Sequence, residues 1–103
     1  MKLIDPLKFH PDRAWAALDI AEIDGTSVRL HWTDRPYEWH TNDGAEVFVV
    51  LSGEVDMRYR EGGKEGVVRP NSGEIFYAAQ GDEHSASPVG EARILVIERK
   101  GSI

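Results

Sequence analysis

Residues 39–53, which read WHTNDGAEVFVVLSG, join candidate metal ligands to the most apolar strand of the chain. His40 lies just before a turn that contains Gly44, and Glu46 opens an apolar run that ends at a second turn, residues 52–53. The β-branched content of this run and the turns around it predict a buried strand. Because a short loop reverses the chain between His40 and Glu46, we expect an imidazole and a carboxylate to lie close together.

A second imidazole comes from a later turn. His84 follows Gln80-Gly81-Asp82-Glu83, and that turn follows an apolar strand over residues 75–79. Two imidazoles and one carboxylate are a donor set that divalent metals bind in proteins. The residues alone therefore predict a metal site built from His40, Glu46 and His84.

The length and composition indicate one globular domain. With 103 residues, 41% hydrophobic and 29% charged, the chain can bury a single core. We expect one domain over residues 1–103, with an irregular N-terminal arm over residues 1–17 and a barrel over about residues 18–100. The formal charge of -6 disfavours nucleic acid and anionic membranes as partners.

Cysteine is absent, which excludes disulfides, thiolate metal ligands and cysteine nucleophiles. Charge and proline interrupt residues 1–6 before the hydrophobic region of a signal peptide could form, and no apolar run approaches membrane-spanning length. These features predict a cytoplasmic protein.

Alternating apolar residues predict an all-β architecture. Residues 18–23 and 28–32 alternate on either side of Asp24-Gly25, which is typical of a β-hairpin, and glycine-bearing turns recur along the rest of the chain. One helical turn is expected over residues 12–17, with Asp12 as its N-cap. Residues 47–51 and 94–97 are apolar on both faces, so both faces need a cover. The N-terminal arm and the hairpin are one expected cover and a second subunit is the other, which predicts a homodimer.

The spacing of these residues resembles the two motifs of small single-domain cupins of the mannose-6-phosphate-isomerase-like type. The first motif runs His-x-His, three or four residues, Glu, six residues, Gly, and the matching positions here are His40, Asn42, Glu46 and Gly53. The second runs Gly-Asp, four residues, Pro-x-Gly, two residues, His, three residues, Asn. Here it corresponds to Gly73-Glu74, Ala79-Gln80-Gly81, His84 and Pro88, so the spacing is kept with three substitutions.

The resemblance implies a double-stranded β-helix, or jelly-roll barrel, that holds one divalent metal ion. In that family the ligands are the two histidines and the glutamate of the first motif and the histidine of the second. His40, Glu46 and His84 match, whereas Asn42 replaces one histidine and is expected to be a weak ligand or a hydrogen-bond partner. An amide oxygen replaces imidazole poorly for Zn, Ni or Cu and better for Mn, so the expected affinity is reduced. Zn, Fe, Mn and Ni all remain candidates.

The aromatic side chains divide between a ligand pocket and the core. Phe48, Trp39 and Tyr59 are the candidate pocket residues, with a place in the core as the alternative for each. His31 lies outside both motifs and is expected to be a strand residue rather than a fourth ligand.

Three functions are compatible with these residues. The first is a small-molecule-binding cupin whose metal acts as a Lewis acid on a sugar-like or other small oxygenated substrate, with Tyr77 as the candidate catalytic acid or orienting hydroxyl. The second is a metal-free binding or regulatory module, in which His40, Glu46 and His84 only hydrogen-bond one another. The third is an Fe(II)-dependent dioxygenase, because two histidines and one carboxylate have the composition of the facial triad. The sequence leaves open whether the protein is an enzyme.

Overall fold

The computed structural model describes residues 1–102, which form two antiparallel β-sheets preceded by a short 3₁₀ helix, Pro6–Lys8. The strands are β1 (Ala17–Ile23), β2 (Thr26–Thr33), β3 (Tyr37–Thr41), β4 (Glu46–Ser52), β5 (Val55–Glu61), β6 (Lys64–Val68), β7 (Ile75–Ala78), β8 (Glu83–Pro88) and β9 (Ala92–Arg99). One sheet has the order β1-β2-β9-β4-β7 and the other β3-β8-β5-β6. The chain thus crosses between two facing sheets, which confirms the predicted all-β jelly roll.

The predicted hairpin is formed by β1 and β2. Its two central turn residues, Asp24 and Gly25, have φ of 50° and 78°. Positive φ at both positions is the type I′ turn, whose twist matches that of the strands it joins. The Asp-Gly pair therefore identified both the turn and the pairing of its strands.

The core lies between the inner faces of the two sheets. It consists of Phe48, Val50, Val55, Met57, Ala86, Ala92, Ile94 and Val96. On β4 the alternation is clear, since Glu46, Phe48 and Val50 are buried whereas Val47 and Val49 are half-buried on the outer face. Glu46 therefore shares the inner face with the apolar core.

The N-terminal arm packs on the outer face of the larger sheet. Trp32 points away from the inter-sheet core, yet only 5% of it is exposed. The ring of His10 stacks on it with 4.6 Å between centroids. Arg93 Nε donates a hydrogen bond to the carbonyl oxygen of Phe9 at 2.8 Å. The arm is therefore one of the covers that the apolar outer face was expected to need.

The helical turn expected over residues 12–17 is wrong. The short helix forms earlier, where Asp5 caps it by accepting a hydrogen bond from Leu7 N–H at 3.0 Å. Trp15 has a left-handed φ of 63°, which a right-handed helix excludes. The carbonyl oxygen of Trp32 accepts a hydrogen bond from Trp15 N–H at 2.8 Å. Pairing with β2 thus overrides the local helical preference.

His10→Ala should lower the free energy of unfolding by about 1 kcal/mol, because the contact between the His10 and Trp32 rings is lost. Urea unfolding followed by tryptophan fluorescence measures the change. Lys8→Ala, at an exposed position in the same arm, is the matched control and should have no effect. An unchanged free energy in His10→Ala would mean that the contact between His10 and Trp32 adds nothing to stability.

Apolar side chains remain exposed on the outer face of β7. Ile75 is 66% and Tyr77 62% exposed. The homodimer expected to cover such a surface stays a prediction, and so does the cytoplasmic location. Within residues 1–102, no helix has the length and apolarity needed to cross a membrane.

Candidate functional site

Three residues from both sheets meet at one end of the barrel. His40 on β3 lies directly opposite His84 on the antiparallel strand β8, and their ring centroids are 4.4 Å apart. Glu46 reaches them from the first position of β4 in the facing sheet. One ligand atom from each of the three residues lies within 4.8 Å of the others. The structure therefore brings together the three residues that the sequence singled out.

The buried imidazole of His84 cannot satisfy both of its polar neighbours. Its Nε2 is 2.9 Å from Asn42 Oδ1 and 3.3 Å from Glu46 Oε1. A neutral imidazole has a single N–H, and the shorter contact with Asn42 uses it. Among residues 1–102, Glu46 Oε1 and His84 Nδ1 then have no hydrogen-bond partner. A buried polar atom without a partner costs free energy, and a cation bound to Glu46 Oε1 would recover that cost.

Two distances at His84 Nε2 match those between ligands of a divalent metal ion. Ligand atoms about 2.1 Å from an ion lie about 3.0 Å apart at right angles and about 3.4 Å apart at the tetrahedral angle. The distances of 2.9 Å and 3.3 Å around His84 Nε2 are close to both values. His40 Nδ1 faces the carbonyl oxygen of Glu38 at 3.2 Å. A proton donated there leaves the Nε2 lone pair of His40 free for a metal.

Asn42 is fixed beside His84 by its backbone. Its N–H donates to the carbonyl oxygen of Asp82 at 2.9 Å, and its carbonyl oxygen accepts from Gly81 N–H at 2.8 Å. The side chain is only 3% exposed, and its Oδ1 accepts the hydrogen bond from His84 Nε2. That bond competes with a metal for the same nitrogen of His84. Asn42 in place of histidine therefore weakens the site in two ways. It removes one imidazole ligand, and its hydrogen bond occupies the Nε2 atom of a second ligand, His84.

Burial controls the protonation of the site. It raises the pKa of Glu46 to about 9, and a hydrogen bond to Glu98 and the negative charge of Glu98 act in the same direction. Burial also lowers the pKa of His84 to about 4, helped by the neighbouring His40. At neutral pH and without a metal, Glu46 is protonated and His84 is neutral, so their 3.3 Å contact is not an ion pair. A metal ion must displace the proton of Glu46 in order to bind.

A cavity of about 270 Å³ opens beside the three residues. Its apolar walls include Trp15, Tyr37 and Phe48, and its polar walls include Arg29, His31 and Glu98. At about 30 Å³ for each water molecule, this volume equals about nine waters, which suits a small metabolite.

No protein-family model matches the sequence, and the search of curated proteins gives no match either. Solved structures do match. A cupin-2 domain protein from Shewanella frigidimarina is 26% identical, with a TM-score of 0.77 over 86% of this chain and 84% of that one. A cupin superfamily protein from Desulfitobacterium hafniense is 12% identical, with a TM-score of 0.77 over 96% and 92% of the two chains. Hydroquinone 1,2-dioxygenase in complex with Cd²⁺ and 4-hydroxybenzonitrile is 16% identical, with a TM-score of 0.74 over 87% and 67%.

This chain has the fold of a small cupin domain. The residue that closes the first cupin motif, Gly53, has a structural reason to be glycine. Its φ is +80°, and a Cβ there would collide with the carbonyl oxygen of Glu91. Both facts exclude larger residues from the turn that ends β4.

Of the candidate pocket residues in the cupin, only Phe48 lines this cavity. Trp39 lies outside it, where the guanidinium of Arg60 stacks at 3.9 Å from the centre of its ring. The Tyr59 ring packs over Gly66 and lines a separate groove between β5 and β7. The expectation that all three aromatic residues surround one pocket is therefore wrong for Trp39 and Tyr59.

Tyr77 is also misplaced for the catalytic role expected of it. It pairs with Val47, which belongs to the outer face of the sheet, and it is 62% exposed. Phe76 and Ala78 take the inner positions on β7, opposite Phe48 and Glu46. The hydroxyl of Tyr77 therefore points away from the cavity and cannot act on a ligand bound there.

The sequence reasoning missed most of the cavity wall in the cupin. Tyr37 and His40 both face the cavity although they are three residues apart, because the register of β3 against β8 shifts between them. Arg29 and His31 alternate on β2, a pattern that could have identified them as one face. His31 is not part of the metal-ligand cluster, and its Nδ1 lies 3.0 Å from the carbonyl oxygen of Trp15. Glu98 had no sequence signal, since only strand pairing sets it opposite Glu46.

Proposed function

We propose that this cupin binds a divalent metal ion through His40, Glu46 and His84 and acts on a small oxygenated molecule, sugar-like or of similar polarity, in the adjoining cavity. The observation that carries the proposal is the convergence of three ligand atoms within 4.8 Å. It includes a buried carboxyl oxygen, Glu46 Oε1, that has no hydrogen-bond partner within residues 1–102. The 270 Å³ cavity beside these atoms provides room for the ligand.

The bound metal would supply Lewis acidity toward a carbonyl, enediol or carboxylate oxygen of the ligand. The chain orients the two histidine ligands and excludes water from the bound molecule. The carbonyl oxygen of Glu38 holds the His40 ring in one orientation, and Asn42 sets the position of the His84 ring. Trp15 and Phe48 provide apolar walls that displace water from the bound molecule.

Fe(II)-dependent oxygenase chemistry is the second candidate. The donor set of two imidazoles and one carboxylate favours it, because that composition binds non-heme Fe(II) and leaves positions open. The similarity to a hydroquinone dioxygenase that binds Cd²⁺ supports a metal in this fold without naming the ion here. Oxygen uptake by the Fe(II)-loaded protein with a panel of phenols and hydroxy acids tests this candidate, and a panel without uptake would count against it.

The first test is metal analysis of the purified protein by elemental mass spectrometry. We expect close to one ion per chain, removed by a chelator and restored by one of Mn²⁺, Fe²⁺, Ni²⁺ or Zn²⁺. If none of these ions binds, the metal-free binding module becomes the better function. In that case a ligand would bind equally well in the presence of chelator.

Asn42→His should tighten metal binding by about tenfold or more, because it restores an imidazole ligand and removes the amide that competes for His84 Nε2. Competition titration with a chromophoric chelator measures the dissociation constant. Asn71→His, in the loop between β6 and β7, is the matched control and should leave the constant unchanged. An unchanged or weaker affinity in Asn42→His would show that Asn42 does not limit the site.

A further inference from the structure

Within residues 1–102, Arg29 is the only lysine or arginine that lines the 270 Å³ cavity. It lies on β2 two residues before His31, and both side chains face the cavity. Metal binding does not require it, because it is outside the cluster of ligand atoms. The other lining residues are aromatic, histidine, acidic or small, so Arg29 is the side chain in the wall best suited to bind an anionic group.

Asp19 holds this guanidinium by one edge. The two residues are opposite each other on β1 and β2, and Arg29 Nε donates to Asp19 Oδ1 at 2.7 Å. The two terminal amino groups of Arg29 have no hydrogen-bond partner within residues 1–102. A guanidinium that is oriented through Nε and free at its other edge can form paired hydrogen bonds with an anionic group.

We propose that Arg29 binds an anionic group of the ligand, so that the substrate class is a small hydroxylated or oxo-substituted organic anion. The neutral oxygen of such a molecule faces the metal, and its carboxylate or phosphate group pairs with Arg29. The inference rests on the proposed function, since the metal holds the other end of the ligand. The cavity volume limits the molecule to a few carbon atoms and one anionic group.

The test compares three probes by isothermal titration calorimetry on the metal-loaded protein. These are 3-hydroxybutanoate, 3-hydroxypropyl phosphate and the neutral 1,3-butanediol. We expect at least one anion to bind more tightly than the diol, and Arg29→Gln to weaken that anion by about tenfold or more while leaving the diol unchanged. Arg29→Lys, which keeps the charge and loses the paired geometry, should give an intermediate affinity. Arg58→Gln, at an exposed position on β5, is the matched control and should bind like the unaltered protein.

The outcomes separate this inference from the proposed function. If Arg29→Gln keeps its metal content but loses its affinity for the anion, both the role of Arg29 and the proposed function are supported. Equal binding of anions and diol, or equal weakening of all probes in Arg29→Gln, overturns the role of Arg29 and leaves the metal site standing. If neither the unaltered protein nor any variant binds metal, the proposed function fails. The same titrations on metal-free protein then decide, because anion binding that depends on Arg29 supports the anion site and its absence overturns it.

Discussion

Glu46→Gln should abolish metal binding and at the same time stabilise the metal-free protein. The variant removes the only carboxylate of the three-ligand cluster, so metal affinity should fall by about 100-fold or more. The amide is nearly the same size as the acid and does not ionise. Its NH₂ group can still donate to Glu98, as the protonated carboxyl group does. At pH 8 the metal-free variant should therefore be more stable than the unaltered protein, by about 1–2 kcal/mol.

A loss of metal affinity together with a gain in metal-free stability distinguishes a metal ligand from a residue that only supports the fold. Elemental analysis measures the metal, and urea unfolding in chelator measures the stability. His84→Ala should also lose the metal, but it should destabilise the protein because it empties a fully buried position. Glu61→Gln, at the exposed end of β5, is the control for both measurements. If Glu46→Gln retains the metal, Glu46 is not a ligand. If Glu46→Gln is less stable than the unaltered protein in chelator, Glu46 is not a buried carboxyl group that is protonated in the metal-free state.

The stability of the metal-free protein should fall as the pH rises above neutral. Folding raises the pKa of Glu46 from 4.5 to about 9, so above pH 4.5 the folded state holds a proton that the unfolded state has released. The stability this proton provides is complete below pH 4.5 and is lost progressively until the pH passes about 9. His84 acts in the opposite sense. Its pKa falls from 6.5 to about 4, so its contribution is complete above pH 6.5 and is lost below. The two effects oppose each other between pH 4.5 and 6.5, which leaves Glu46 to act alone above that range.

We expect the free energy of unfolding in chelator to decrease by about 2 kcal/mol between pH 6.5 and 9, because the folded state holds a proton on Glu46 that the unfolded state has released. Glu46→Gln should remove most of this slope. With metal present the dependence should reverse, since metal affinity increases as Glu46 becomes easier to deprotonate. A flat profile for the metal-free protein, or the same slope in Glu46→Gln, would show that Glu46 is not the titrating group.

Local sequence rules predicted much of the fold and the centre of the site. The Asp24-Gly25 turn needs only two residues that accept positive φ, so the hairpin could be read directly. The motif spacing predicted that His40, Glu46 and His84 converge, and they do. Phe48 lines the cavity because it is two residues from Glu46 on the same strand, and the period of two places both on one face.

Two of the errors came from places where that period carries no information. All four residues of β7 are apolar, so alternation could not tell which face was inside, and Tyr77 was assigned to the wrong one. A shift of register in β3 put Tyr37 into the cavity, and such shifts arise from pairing with β8 and leave no local signal. Trp39 is a different case, because it is adjacent to His40 and simple alternation places it on the opposite face.

The sequence by itself determined the strands and the hairpin turn, because these depend on contacts within a few residues along the chain, and the motif spacing gave the metal-ligand candidates. Only the tertiary structure decided what surrounds the candidates. Glu98 lies beside Glu46, and Arg29 faces the cavity, because β9 pairs with both β4 and β2. Those partners are separated by dozens of residues in the chain, and packing of the whole sheet selects them. The protonation of Glu46 follows from the same packing, since its pKa depends on burial and on the charge of Glu98.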